Sequence, residues 1–154
     1  MAELKPILLV EDNPKDLELT LAAFEEAQLA NDILVARDGA EALDYLLPAD
    51  GPPPTGIKRP AVIILDIKLP KIDGIEVLQR IKSDPNTRQI PVVMLTSSQE
   101  EKDLVRSYHL GVNAFVVKPV GFKEFFDAIR DLGSFWAILN EPPPGSHRLR
   151  DVRS

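Results

Sequence analysis

"AVIILDIKLPKIDGIEVLQRI" (Ala61–Ile81) decides the fold. Its first part, Ala61–Leu65, is apolar without interruption and stops on Asp66. An apolar run that does not alternate with polar residues fits a strand covered on both faces, as in a parallel sheet. Asp73-Gly74 then opens a helical pattern, with Val77, Leu78 and Ile81 on one face, which closes near Asp84-Pro85. Strand, turn and helix follow one another within a single short stretch.

The same unit recurs on both sides. Ile7–Val10 stops on Glu11-Asp12, and Asn13-Pro14 starts a helix carrying Leu17, Leu21, Phe24 and Ala27 or Gln28. Ile33–Ala36 stops on Arg37-Asp38-Gly39, followed by a shorter helix with Ala42, Leu43 and Leu46. Val92–Leu95 stops on Thr96. Ser98 then reads as an N-cap, and Glu100, Glu101 and Asp103 suit a helix N-terminus. That helix carries Leu104, Val105 and Tyr108 and is expected to end at Gly111. Ala114–Val117 stops on Lys118, and a last helix carries Phe122, Phe125, Phe126, Ile129, Leu132, Trp136 and Leu139. Fivefold strand–helix alternation predicts a doubly wound α/β fold: a five-stranded parallel sheet in the flavodoxin-like order 2-1-3-4-5.

Residues 1–139 read as one domain. The proline-rich "LPADGPPPTGIKRP" (Leu47–Pro60) places an insertion over 48–60, longer than a usual helix-to-strand connection. Residues 140–154 read as a polar, mobile tail, in which Arg148, Arg150 and Arg153 nearly balance Glu141 and Asp151.

The chain has 154 residues, 44% hydrophobic and 27% charged, the composition of an ordinary globular domain. Its net charge of -6 argues against nucleic acid or an anionic membrane as a partner. There is no cysteine, which excludes disulfides and thiolate metal sites and fits a cytoplasmic protein. The N-terminus meets an acidic pair too soon for a signal peptide, and no run approaches the roughly 18 apolar residues of a membrane helix.

In an open parallel sheet the strand C-termini share one rim, and ligands bind where strand order reverses. Glu11, Asp12, Asp66, Thr96 and Lys118 are thereby expected on one rim. Each alone could be a cap or a turn residue; the joint placement carries the chemistry. Three converging carboxylates repel one another unless a cation sits among them, and carboxylate oxygens with water suit Mg²⁺. A metal so held can bind phosphoryl oxygens. Thr96 can donate a hydroxyl hydrogen bond, Lys118 can supply a point charge, and Asp66 can act as a nucleophile forming an aspartyl phosphate.

With "LLVEDNP", "VIILDIKLPKIDGIEVL", "IPVVMLTSS" and "NAFVVKPV" in this order and spacing, residues 5–135 resemble the receiver domain of two-component response regulators. The resemblance implies that Asp66 accepts a phosphoryl group from a histidine kinase. It implies Mg²⁺ bound with the help of Glu11 and Asp12, with Asp12, Asp66 and the backbone carbonyl of Lys68 as ligands. Thr96 and Lys118 would contact the phosphoryl group, and Lys118–Pro119 would be cis. Thr96 and Phe115 would form the switch; Phe115 stands where many members carry tyrosine, so it would signal by packing alone. "DGAEALDYL", "IKSDPNTRQIPVVMLTSS", "SYHLGVNAFVVKPV", the proline-rich insertion and Phe135-Trp136 resemble the small response regulators paired with bacterial phytochromes.

These readings describe a stand-alone, non-enzymatic phospho-acceptor that relays its signal by protein contacts. The only histidines are His109 and His147, and no glycine-rich nucleotide loop appears, so the phosphoryl group must come from a partner histidine or a small phospho-donor. About 20 residues follow the core of the last helix, too few for a DNA-binding output domain. Lys68 and Ser98 flank the site and are expected to tune dephosphorylation. The aromatic stripe ending in Phe135 and Trp136 is expected to form a homodimer interface. A haloacid-dehalogenase-like phosphohydrolase would need an aspartate two residues after Asp66, where Lys68 stands. A flavin-binding module would meet repulsion from Glu11-Asp12, and an inert receiver-like scaffold would not need the full acidic set.

Overall fold

The computed structural model describes residues 5–26, 31–48, 59–107, 109–112, 114–118, 123, 127 and 149–151. The elements run β1 (Ile7–Val10), α1 (Pro14–Glu26), β2 (Ile33–Ala36), α2 (Gly39–Leu46), β3 (Val62–Asp66), α3 (Gly74–Ser83), β4 (Val92–Thr96), α4 (Gln99–Ser107), β5 (Ala114–Val117) and β6 (Leu149–Asp151). Every strand pair is parallel, and the sheet order is β5-β4-β3-β1-β2-β6. The expected order 2-1-3-4-5 is therefore present, with a sixth strand outside β2.

Within the segment read as a tail, Leu149–Asp151 forms β6. Leu149, Arg150 and Asp151 register against Ile33, Leu34 and Val35, so β2 is not the sheet edge. The three residues Leu-Arg-Asp give no apolar run to read.

The unbroken apolar runs have a direct cause. Side chains alternate across each strand, and in β1 to β4 both faces are buried. Ile7 and Leu9 of β1 join Val62 and Ile64 of β3 in one core with Leu17, Ala23 and Phe24 of α1. Leu8 and Val10 join Ile63 and Leu65 in the opposite core with Leu43 of α2, Leu78 and Ile81 of α3 and Val105 of α4. Burying such aliphatic side chains stabilises the fold by about 1.5–3 kcal/mol each relative to exposure.

Each of α1 to α4 starts on a capping side chain. Asn13 Oδ1 accepts the N–H groups of Lys15 and Asp16 at 2.9 and 3.1 Å. Asp38 accepts from Glu41 N at 2.8 Å, Asp73 from Glu76 N at 2.9 Å, and Ser98 from Glu101 N at 3.2 Å. α4 ends earlier than expected. It closes at Ser107, and His109 turns the chain with φ 52° while its N–H donates to the Arg106 carbonyl at 3.0 Å. Gly111 also has a left-handed φ, 72°, but lies beyond that turn. Of the expected last helix, Lys123 and Asp127 are among the described residues, and both are helical. Residues 49–58 of the proline-rich insertion lie outside the described residues.

Gly74 shows why α3 begins where it does. A Cβ there would meet the Asp66 carbonyl oxygen at 2.1 Å and Ile67 Cα at 2.7 Å. Its N–H donates to the Ile67 carbonyl at 2.7 Å. Only a glycine lets α3 pack directly against the strand end that carries Asp66.

Candidate functional site

The rim formed by β1, β3, β4 and β5 carries the expected residues. Glu11 follows β1 and is fully buried; Asp66 ends β3 with 4% exposure; Asp12 is exposed. One ligand oxygen from each of Glu11, Asp12 and Asp66 lies within 4.8 Å of the others. Thr96 ends β4, is fully buried, and stands in register with Val117 of β5. Its carbonyl accepts the Lys118 N–H at 2.8 Å, which fixes Lys118 directly beyond the strand pair.

Lys118 is the hub of the charge network. Its Nζ lies 2.6 Å from Asp66 Oδ2, 3.0 Å from Glu11 Oε2 and 3.0 Å from Asp16 Oδ2. The contacts to Asp66 and Asp16 are hydrogen bonds. Glu11 Oε2 is close enough to be paired by charge but makes no hydrogen bond. Its other oxygen accepts the Asn13 N–H at 3.1 Å. Burial opposes the Lys118 charge, but the hydrogen bonds to Asp66 and Asp16 and the nearby Glu11 carboxylate outweigh it and hold the ammonium above its ordinary range. For Glu11 it is the neutral form that is favoured. Burial first, then the neighbouring Asp66, pushes the carboxyl up to about 7.

Two observations test whether a divalent cation fits. A buried carboxylate oxygen of Glu11 is left without a hydrogen bond, and Glu11 is disfavoured as an anion by burial and Asp66. The donors available are all carboxylate oxygens, the set preferred by hard divalent cations. A cation placed among Glu11, Asp12 and Asp66 would relieve both.

Thr96 Oγ1 is buried and has no hydrogen-bond partner. A buried hydroxyl without a partner costs about 1–3 kcal/mol. It sits on the same rim as Asp66 and Lys118, where an arriving oxyanion would supply its partner. On the other side of Asp66, Oδ1 accepts the Lys68 N–H at 3.3 Å. The Lys68 side chain is 81% exposed and reaches Glu101 Oε2 at 3.5 Å. Glu101 Oε1 accepts the Ser97 N–H at 2.7 Å, and Ser98 Oγ caps α4. Lys68 and Ser98 thus border the site through Glu101, which sequence reasoning had placed only as a helix-start acid. Burial raises the Glu101 carboxyl, but hydrogen bonds from Ser97 and the Lys68 charge prevail and hold it below its ordinary value.

Phe115 is half-buried, packs on the core shared with α2, α3 and α4, and lies under Arg106, whose guanidinium carbon is 5.1 Å from the ring centroid. Pro119, Phe135 and Trp136 lie outside the described residues. Asp16 is the residue that sequence reading missed. It lies in the first turn of α1, where an acidic residue is read as helix-start chemistry alone.

The family described as "Response regulator receiver domain" matches residues 7–130. The solved structure of bacteriophytochrome response regulator RtBRR is 62% identical, covers 94% of this chain and 87% of its own, and superposes with a TM-score of 0.81. That of bacteriophytochrome response regulator AtBRR is 64% identical, with coverages of 91% and 100% and a TM-score of 0.77. Response regulator Rcp1 of Synechocystis sp. is 38% identical over 135 residues, 86% of this chain and 88% of its own. Its Mn²⁺-bound crystal form covers 90% of this chain and 97% of its own, at 36% identity and a TM-score of 0.66. With the rim geometry, the matched residues and these relatives in agreement, the chain belongs to the response regulator receiver domain family.

Proposed function

We propose that this receiver accepts a phosphoryl group on Asp66 from the phosphohistidine of a histidine kinase, with Mg²⁺ bound by Glu11, Asp12, Asp66 and the Lys68 carbonyl. The observation that carries the reading is the pairing of Lys118 Nζ with Asp66 Oδ2 at 2.6 Å beside a buried Thr96 hydroxyl that has no partner. A carboxylate oxygen of Asp66 attacks phosphorus. The P–N bond to the imidazole breaks, the Asp66 O–P bond forms, and the imidazole leaves carrying its electron pair. Lys118 keeps Asp66 oriented and meets the charge of the transferred group. Thr96 donates its hydroxyl hydrogen to a phosphoryl oxygen. Bound Mg²⁺ supplies charge neutralisation for the carboxylates and the incoming phosphoryl oxygens.

The same rim supports a switch. When Thr96 turns toward the phosphoryl group, the half-buried Phe115 ring repacks in the space left, and the Arg106 contact changes with it. Output then passes by protein contacts. The two bacteriophytochrome response regulators, at 62% and 64% identity, favour a phytochrome-type kinase as the donor. A phosphohydrolase reading has less support, because Lys68 occupies the general-acid position and its ammonium is turned to Glu101 at 3.5 Å. The test is incubation with a phosphorylated candidate kinase and Mg²⁺, comparing wild type with Asp66→Asn. Label is expected on the wild type alone, and label that survives Asp66→Asn overturns the assignment.

A further inference from the structure

Asp16 occupies the third position of α1, where an acidic side chain commonly reaches back to the N-cap N–H. Here that N–H, on Asn13, is already taken by Glu11 Oε1 at 3.1 Å. The Asp16 carboxylate reaches instead across 102 residues of sequence to Lys118 Nζ, at 3.0 Å. It is the outermost of the three lysine partners, with a side chain 30% exposed against 0% for Glu11 and 6% for Asp66. It is also outside the Glu11–Asp12–Asp66 trio whose oxygens converge.

One ammonium with three N–H donors meets three carboxylates. A divalent cation entering the trio must share Glu11 and Asp66 with that ammonium, and two cations within a few ångströms repel. Lysine has a long flexible stem and a compact charge, so it can shift between partners without leaving the site. We propose that Asp16 is a positioning residue for Lys118, the outer seat that retains the ammonium when a divalent cation claims Glu11 and Asp66. The inference rests on the acidic trio being the cation site. It gives α1 a part in metal loading that its helix-start chemistry alone does not require.

The experiment is calorimetric titration of Mg²⁺ into the full chain carrying Asp16→Asn, Lys118→Met, both, or Asp16→Glu. Thermal unfolding of each variant reports folding separately. Asp16→Asn is expected to weaken Mg²⁺ binding about threefold to tenfold when Lys118 is present, the scale of a partly buried ion pair. In the Lys118→Met background the same change is expected to cost less than about twofold, because no ammonium remains to be held. Asp16→Glu is expected to restore most of the affinity. Equal losses in both backgrounds would mean that Asp16 acts by charge or helix capping alone and would overturn the proposal, as would no loss at all. A wild-type protein that binds no Mg²⁺ would overturn the cation site and the inference together, whereas wild-type binding with a silent Asp16→Asn would overturn only the inference.

Discussion

At the scale of single residues, the site is a balance of charge in a buried place. Three carboxylates share one ammonium, and Glu11 carries the cost of burial. Its carboxyl is pushed up to about 7 from an ordinary 4.5. The folded, metal-free protein therefore holds a proton on Glu11 that the unfolded chain releases at lower pH. Stability from this group is fully present below about 4.5 and is lost as pH rises toward about 7. The loss is on the order of 1–3 kcal/mol. Thermal unfolding in a metal chelator should show wild type falling relative to Glu11→Gln across that window. A constant difference between the two would contradict the burial account. Most of these residues were legible because each ends an apolar run, and strand direction alone delivers them to one rim. Asp16 was not, because its partner is 102 residues away and only the fold brings them together.

At the scale of elements, the loops after the strands are braced by side chains that do not belong to the acidic trio. Lys71 takes a left-handed φ of 67° in the loop after β3 and pairs with Asp38 of the α2 cap at 3.1 Å. Lys68 in the same loop pairs with Glu101 of α4 at 3.5 Å, and Ser98 caps that helix. The two walls of the Asp66 cleft are thus linked at the mouth by an exposed lysine. Lys68→Ala and Ser98→Ala are expected to open that mouth to water and shorten the lifetime of the phosphorylated form about twofold to tenfold. Following loss of label after kinase removal measures this, and unchanged lifetimes would leave both residues as bracing only. Composition and periodicity made the helix starts legible, since Asp38, Asp73 and Ser98 all cap as read. The end of α4 was not: His109, a residue that can adopt left-handed φ, turns the chain before the glycine that drew attention.

At the scale of the whole molecule, the doubly wound order follows from five unbroken apolar runs, four of them buried on both faces. The sixth strand had no such signature. It adds at β2, on the side of the sheet away from β4 and β5, so the Asp66 rim is unaffected by it. Among the described residues no helix is long and apolar enough to cross a membrane. We propose association of two copies through the aromatic stripe that includes Phe135 and Trp136. Sedimentation on the order of tens of micromolar should show a dimer that Trp136→Ala weakens. A wild-type monomer at that concentration would contradict the interface.

Asp66 is proposed as the phosphoryl acceptor, with a divalent cation on the acidic trio enabling the transfer. Intact-mass analysis after treatment with a small phospho-donor tests this assignment most directly, with Mg²⁺ and again with a chelator. The mass of one added phosphoryl group is expected on wild type with Mg²⁺, and none with the chelator or on Asp66→Asn. The same added mass on Asp66→Asn, or its full appearance without a divalent cation, would contradict the assignment.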